Sequence, residues 1–432
     1  MRESKVSHFG FVCALALTLP GSLSLLACSD GGGGGMNAAG TASGGGAAGN
    51  KASSGGAGSG AGGSDQGGAA GDAMQGGMGG GAGDATGGAP ASGVAPVVAA
   101  GVRWFGRVDV SDPSAIKFAW TGSGFVGTFT GPSVSVKLQT VGGGEIYFQP
   151  VVDGTPGTRF GVGNAEETVE IASGLAAGDH VVELYRETEG KGFGYSVFSG
   201  FAAGTPAVPP AFSGRLIEVI GDSISAGFGN LGSEQHPNYG NDPNGGCPFT
   251  TETESGYLAY GHVAARAVDA VASVLAGSGW GIYSDNGGNT NNVMPKLFSN
   301  TLGEQAMPVW SFAAKPQAVV INLGTNDGSA NNLTSEKYKP AYTAFVTTIR
   351  EKYPDALILC ALGSMLSGTN RDNAEQYLNE IVDELGDDKV KFLDLGTQDV
   401  LQGTGCAWHP NVAEDARMAG LLEAELKASL AW

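Results

Sequence analysis

Charge is scarce in this sequence, and basic charge is scarcer still. Only 15% of the 432 residues are Asp, Glu, Lys or Arg, and 42 acidic against 23 basic side chains leave a formal net charge of -19. So acidic a chain repels phosphate, which excludes nucleic acid as a partner and leaves a neutral polymer such as a polysaccharide compatible. Histidine is rarer: His8, His180, His236, His262 and His409 are all there are, so an imidazole catalyst must come from a short set. No grouping of His, Cys and carboxylates has metal-ligand spacing, and Asp285-Asn286-Gly287-Gly288 lacks the alternating ligands and closing Glu of a calcium loop. Neither a metal nor a cofactor is expected. After residue 30 no stretch approaches 18 consecutive apolar residues, so no spanning helix is expected there.

Glycine, by contrast, is in excess at 75 residues, and 28 of them fall within residues 31–94. That stretch carries only Lys51, Asp65, Asp72 and Asp84 as charges, has no Gly-X-Y period, and holds too little apolar surface to offset the entropy of ordering it. Residues 28–96 are therefore expected to be a disordered tether, with ends about 40–50 Å apart on average. Before it, residues 1–27 read as an export signal, with Arg2 and Lys5 preceding a mostly apolar run from Phe9 to Leu26. Leu25-Leu26-Ala27-Cys28 resembles a bacterial lipobox. That resemblance implies lipidation of Cys28 and a membrane attachment through the lipid, and Ser29 in place of Asp favours the outer membrane or cell surface. Exported cysteines sit in an oxidising setting. Cys247 and Cys406, both in Gly-rich loops, are expected to pair, and Cys360, within the apolar run from Ala356 to Leu362, is expected to pack as a small core residue.

All six Trp lie beyond residue 100, in a body long enough for two domains. Residues 97–204 read as an all-β domain, a jelly roll. Short strand-like runs such as Val102–Val108, Val134–Leu138 and Val181–Tyr185 are separated by turn signals at Asp112-Pro113, Gly131-Pro132 and Asp153-Gly154. A proline-rich joint runs from Gly204 to Pro210. From 211 to 432, apolar strands at Leu216–Ile220, Val271–Leu275, Ala318–Leu323, Leu357–Leu362 and Val390–Leu395 alternate with helical segments. This predicts a three-layer α/β/α fold with a parallel sheet, whose site gathers at the carboxyl ends of the strands.

Four loops there carry chemistry. Gly221-Asp222-Ser223 follows the first strand and opens a helix, which places a serine where backbone N–H groups converge. Ala276-Gly277-Ser278-Gly279-Trp280-Gly281 follows the second strand and offers a glycine N–H, from Gly279 or alternatively Gly281. Gly324-Thr325-Asn326-Asp327 follows the third and offers an amide donor to an oxyanion. Gly405-Cys406-Ala407-Trp408-His409-Pro410 precedes the last helix. Of the other histidines, His180 falls in the β-domain, His262 within a helix, and His236 in a loop that no strand end presents, so His409 is the candidate base.

Taken together, Ser, Gly, Asn and His in this order resemble the SGNH (GDSL-type) hydrolases over residues 213–430. The resemblance implies an ester hydrolase with Ser223 as nucleophile, His409 as base, and an oxyanion hole formed by Ser223, Gly279 and Asn326. Asp222 and Asp327 would brace the loops. The pattern departs from Asp-x-x-His, since Cys406 stands three residues before His409. Either Asp399 folds in as the orienting acid or a backbone carbonyl orients the imidazole; the second, a dyad, is the preferred expectation.

A longer set of motifs includes Phe118-Ala119-Trp120, Arg186-Glu187-Thr188-Glu189 and Arg215-Leu216-Ile217-Glu218. Cys247-Pro248-Phe249 and the His409 block extend it. Together they resemble carbohydrate esterase family 2. That resemblance implies a jelly roll joined to an SGNH domain and removal of O-acetyl groups from polysaccharides such as acetylxylan. Trp408 and Trp280 are candidates for stacking on a sugar ring. The expected protein is a monomer acting on acetylated polysaccharide. The alternatives are a general SGNH esterase or lipase on small acyl esters, and an inactive carbohydrate-binding surface lipoprotein.

Overall fold

The structure, a computed structural model, describes residues 96–232 and 247–432. The expected export signal, the expected lipidation at Cys28, most of the expected tether, and His236 lie outside the described residues. Among those described, no helix is long and apolar enough to cross a membrane.

The N-terminal domain is all β, and antiparallel throughout. Its organiser is one long strand, Gly124–Val141, whose first half pairs with Asp179–Arg186 and whose second half pairs with Glu167–Ser173. Gly131-Pro132 lies inside this strand and makes no turn. It falls at the junction where the strand changes partners, after Thr130↔Asp179 and before Ser133↔Ser173, so proline's missing N–H costs no ladder bond there. The strand Tyr195–Pro206 likewise continues through Gly204, with Pro206 opposite Phe129, so the joint between domains is shorter than its proline content suggests. Trp104 packs edge-on against Phe125 and Phe198 at the centre of an aromatic core.

In the second domain five parallel strands stand in the spatial order second, first, third, fourth, fifth. They are Val271–Ala276, Leu216–Gly221, Ala318–Asn322, Leu357–Leu362 and Val390–Asp394. Being buried on both faces, they are apolar almost without interruption. Alternate side chains serve two cores. Ile220, Ile321, Ile358 and Cys360 pack with Tyr342 and Ile349 of helix Ser335–Lys352 and with Leu378 of helix Gly368–Leu385. Val219, Val320 and Leu359 pack with Ala264 of helix Tyr260–Ala267 and with Met418 and Leu422 of helix Val412–Leu430. The result is the three-layer α/β/α arrangement. Its strand order reverses at the first strand, which puts a crevice at the carboxyl ends of the first and third strands.

Buried polar contacts hold the domains together, two groups of them built on charges. Arg107 of the β-domain donates to Glu218 on the first parallel strand at 3.1 Å and to the carbonyls of Phe298 and Asn300. Glu187 accepts from Ser255 Oγ at 2.6 Å and pairs with Arg159, which also donates to the carbonyls of Glu252 and Glu254. Charges this deeply buried persist because every one has a partner.

Candidate active site

Ser223 opens a single helical turn, Ser223–Ala226, directly after the first parallel strand. Asp222 caps that turn, its carboxylate accepting from the N–H of Ile224 at 3.0 Å. The Ser223 hydroxyl lies 2.8 Å from Nε2 of His409, and the opposite ring nitrogen, Nδ1, lies 2.9 Å from the carbonyl oxygen of Ala407. A carbonyl only accepts, so Nδ1 carries the proton and the Nε2 lone pair faces the serine hydroxyl. Burial holds the imidazole pKa down to about 4, so the ring is neutral near pH 7. The pair can therefore take a proton from serine.

The His409 loop is held on several sides. Cys406 is disulfide-bonded to Cys247, its N–H donates to the carbonyl of Gly229 at 2.8 Å, and the N–H of Ala407 donates to Cys247 at 3.1 Å. Between disulfide and imidazole, Ala407 and Trp408 both adopt left-handed backbone angles, φ 51° and φ 65°. Such angles cost about 1–2 kcal/mol for a residue with a Cβ, and here they aim the Ala407 carbonyl back at Nδ1. Asp399 is not the orienting acid: its carboxylate caps the N–H of Leu401.

Asn326, on the short helix Thr325–Ser329 after the third strand, places its Nδ2 3.1 Å from the carbonyl of Trp280 and 3.3 Å from Asp222 Oδ2. The shorter bond fixes one amide proton, and the second, in the long contact, is the one a developing anion can compete for. Gly279 stands at φ 80°, a conformation that favours glycine. Among the described residues, the N–H groups of Ser223 and Gly279 meet no protein acceptor. Gly281 serves another end: a Cβ there would sit 2.2 Å from Asp327 Oδ2. Asp327 accepts three successive N–H groups, from Ile282, Tyr283 and Ser284, at 2.8–3.0 Å, and so fixes the turn behind Gly279. Among the described residues no cluster of His, Cys, Asp or Glu could hold a metal ion.

Comparison with known proteins identifies the family. Residues 104–210 match the family model for the carbohydrate esterase 2 N-terminal domain, and residues 219–417 match that of the GDSL-like lipase/acylhydrolase family. A solved family two carbohydrate esterase from Clostridium thermocellum, in complex with cellohexaose, is 37% identical. The alignment covers 77% of this chain and 100% of that one, with a TM-score of 0.71. This chain belongs to carbohydrate esterase family 2. The cellulase/esterase CelE of Acetivibrio thermocellus is 37% identical over 338 residues, which is 77% of this chain and 40% of CelE, so the chain spans less than half of that relative. An acetylxylan esterase / glucomannan deacetylase of Cellvibrio japonicus is 28% identical over 349 residues, covering 74% of this chain and 89% of the relative.

Within this family fold the structure brings Ser223, His409, Asn326 and Gly279 to one place. Trp280 is half-buried against the core beneath the Ser335–Lys352 helix, and Trp408 is half-buried with its carbonyl accepting from Gln398 at 2.8 Å. Two features escaped the sequence. The first is an aromatic wall: Phe228 lies 4.4 Å from the His409 ring and stacks on Phe249 at 3.9 Å, and Phe193 of the β-domain comes within 5.9 Å of Phe249. The second is Glu189 of the β-domain, fully buried, whose Oε2 accepts the N–H of Ser278 at 2.7 Å. Burial raises its pKa to about 7, and it raises that of Asp222, also to about 7. Neither feature has a spacing rule: the wall joins loops distant in sequence, and Glu189 and Phe193 meet the site only after the two domains dock.

Proposed function

We propose that the chain is a serine esterase that removes O-acetyl groups from acetylated polysaccharide, of the acetylxylan kind. The observation that carries this reading is the 2.8 Å contact of Ser223 Oγ with His409 Nε2, with Nδ1 engaged by a carbonyl. As Oγ bonds to the acetyl carbonyl carbon, Nε2 takes the hydroxyl proton and the carbonyl electron pair moves to oxygen. The N–H groups of Ser223 and Gly279 and the Asn326 amide receive that oxyanion. Collapse expels the sugar oxygen, which takes the proton from Nε2, and leaves acetyl on Ser223 Oγ. Water then attacks the acetyl-enzyme through the same base and oxyanion donors, releasing acetate. With Ala407 O in place of an acid, the two side chains work as a dyad.

The substrate class follows from the family's named activities, an acidic body compatible with a neutral polymer, and half-exposed aromatics beside the base. We further place the enzyme at the outer membrane or cell surface, attached through lipid on Cys28 and the glycine-rich tether; labelled fatty acid should enter the wild type and not Cys28→Ala. For catalysis, acetate release from acetylated xylan and from p-nitrophenyl acetate is measured for wild type and Ser223→Ala. Release from both substrates that falls roughly 10⁴-fold or more in the variant is expected. No release from either substrate overturns the esterase reading, and release from the small ester alone overturns the polysaccharide one.

A further inference from the structure

A second cleft, of 340 Å³, opens between the domains, walled by Arg103, Phe105 and Tyr185 of the β-domain, Phe212 just after the joint, and Arg266 of helix Tyr260–Ala267. It is not the catalytic crevice. The cleft reaches Val271 and Ala272, at the amino end of the sheet, whereas Ser223 follows the carboxyl end. Five residues of strand separate the two ends, about 17 Å.

Its arginines set it apart. Nine arginines are described in this acidic chain. Five of them have a carboxylate within 4.0 Å, and Arg186 and Arg215 donate to backbone carbonyls. Among the described residues Arg103 and Arg266 are the two arginines whose guanidinium groups have neither a hydrogen bond nor an ion pair, and both line this cleft. The Nε of Arg103 is buried without an acceptor. Each guanidinium instead lies over an aromatic ring, Arg103 over Phe212 at 5.8 Å and Arg266 over Tyr257 at 3.9 Å. Stacking holds the planes and leaves their N–H donors unspent.

Acidic groups are close but not paired with them. Glu183 lines the cleft and accepts from Tyr185 OH at 2.5 Å, and Asp269 is exposed at its rim. His262, also on the wall, is held neutral by burial, with its pKa down to about 3. Planar forks without acceptors match a carboxylate. The half-buried Phe212 offers apolar surface to the C–H face of a pyranose, while Phe105 and Tyr185 are buried behind it, and the free lone pairs of Glu183 match sugar hydroxyls. The volume lies within the roughly 300–1,000 Å³ typical of ligand clefts.

We propose that this cleft is a non-catalytic site for a carboxylate-bearing sugar, such as a uronic-acid branch of the polymer whose acetyl groups reach Ser223. The choice of a polymer-borne sugar rests on the polysaccharide reading above; the carboxylate recognition does not. Such a site tethers the polymer at the opposite end of the sheet from the catalytic serine and favours acidic-branched over neutral chains.

The test is calorimetric titration of the full-length protein at low salt with methyl glucuronide, methyl glucoside, sodium acetate and phosphate. Saturable binding of the glucuronide is expected, weakened at least tenfold in Arg103→Gln and in Arg266→Gln, without detectable binding of the glucoside and with far weaker binding of the simple anions. Melting temperature and near-ultraviolet dichroism check that each variant is folded, and the exposed Arg266 gives a variant that leaves the core intact. Hydrolysis of p-nitrophenyl acetate is expected to be unchanged in both. No glucuronide binding, equal binding of acetate or phosphate, or undiminished binding in the Arg266 variant overturns the proposal. Glucuronide binding without acetate release from any polymer overturns the catalytic reading and leaves this site standing; acetate release without glucuronide binding does the reverse.

Discussion

At the scale of single residues, His409 sets the pH range. Its depressed pKa means that the base is already neutral at pH values where an ordinary histidine is half protonated. Protonation removes the lone pair that faces Ser223, so activity is present above the folded pKa and lost as the pH falls through it. The acid limb of kcat/KM is expected near pH 4, well below the 6–7 of an unperturbed imidazole. Asp222, raised to about 7, titrates close by without touching the reacting atoms. Glu189, raised to about 7 as well, is the other buried carboxyl beside the site. In Asp222→Asn combined with Glu189→Gln any inflection near neutrality should vanish while the limb near 4 stays; a limb that remains at 6–7 would refute the assignment to His409. Asn326→Ala is expected to lower kcat by roughly 10²–10³-fold on p-nitrophenyl acetate while the fold persists, since it removes one oxyanion donor. A kcat within a few-fold of wild type would exclude that role.

Between residues and the whole stand the loops, and here sequence and structure part company in an instructive way. The parallel strands were legible because burial on both faces demands near-continuous apolar runs, and the last helix, expected after the His409 block, spans Val412–Leu430. The chemical loops were legible because each follows a strand end. Gly131-Pro132 was misread because its turn chemistry is spent on letting one strand change partners. The strands Glu167–Ser173 and Tyr195–Pro206 went unnoticed, being interrupted by charge and glycine that only pairing tolerates. Glu189 was visible as part of Arg186-Glu187-Thr188-Glu189, but its partner, Ser278, belongs to the other domain. It braces the Gly279 loop from outside. Glu189→Ala leaves the half-buried Ser278 N–H without its acceptor, at about 1 kcal/mol or more, and frees that loop. At least a tenfold loss in kcat with KM nearly constant is expected, and Glu189→Gln, which keeps an acceptor, should recover most of it. Equal losses in both variants would show that the contact positions nothing.

For the whole molecule, the arrangement of the two domains is itself a catalytic matter, because the β-domain supplies both Glu189 and Phe193 to the other domain's crevice. Buried polarity is one part of what fixes that arrangement: Arg107 reaches Glu218, which also accepts from Tyr353 OH at 3.1 Å, and the guanidinium sits over Phe298, Trp310 and Phe312 at 5.3 Å from each. Deleting one partner strands the other charge out of water, a cost of about 3–5 kcal/mol, whereas replacing both by apolar side chains of similar size is often near neutral. Arg107→Met alone should therefore lower the urea midpoint strongly, and adding Glu218→Leu should restore more than half of the loss. Below its melting temperature the double variant, its domains still docked by Arg159 and Glu187, should keep most of its kcat. If the two substitutions instead add, the pair is not coupled, and docking must rest on the apolar contacts around it.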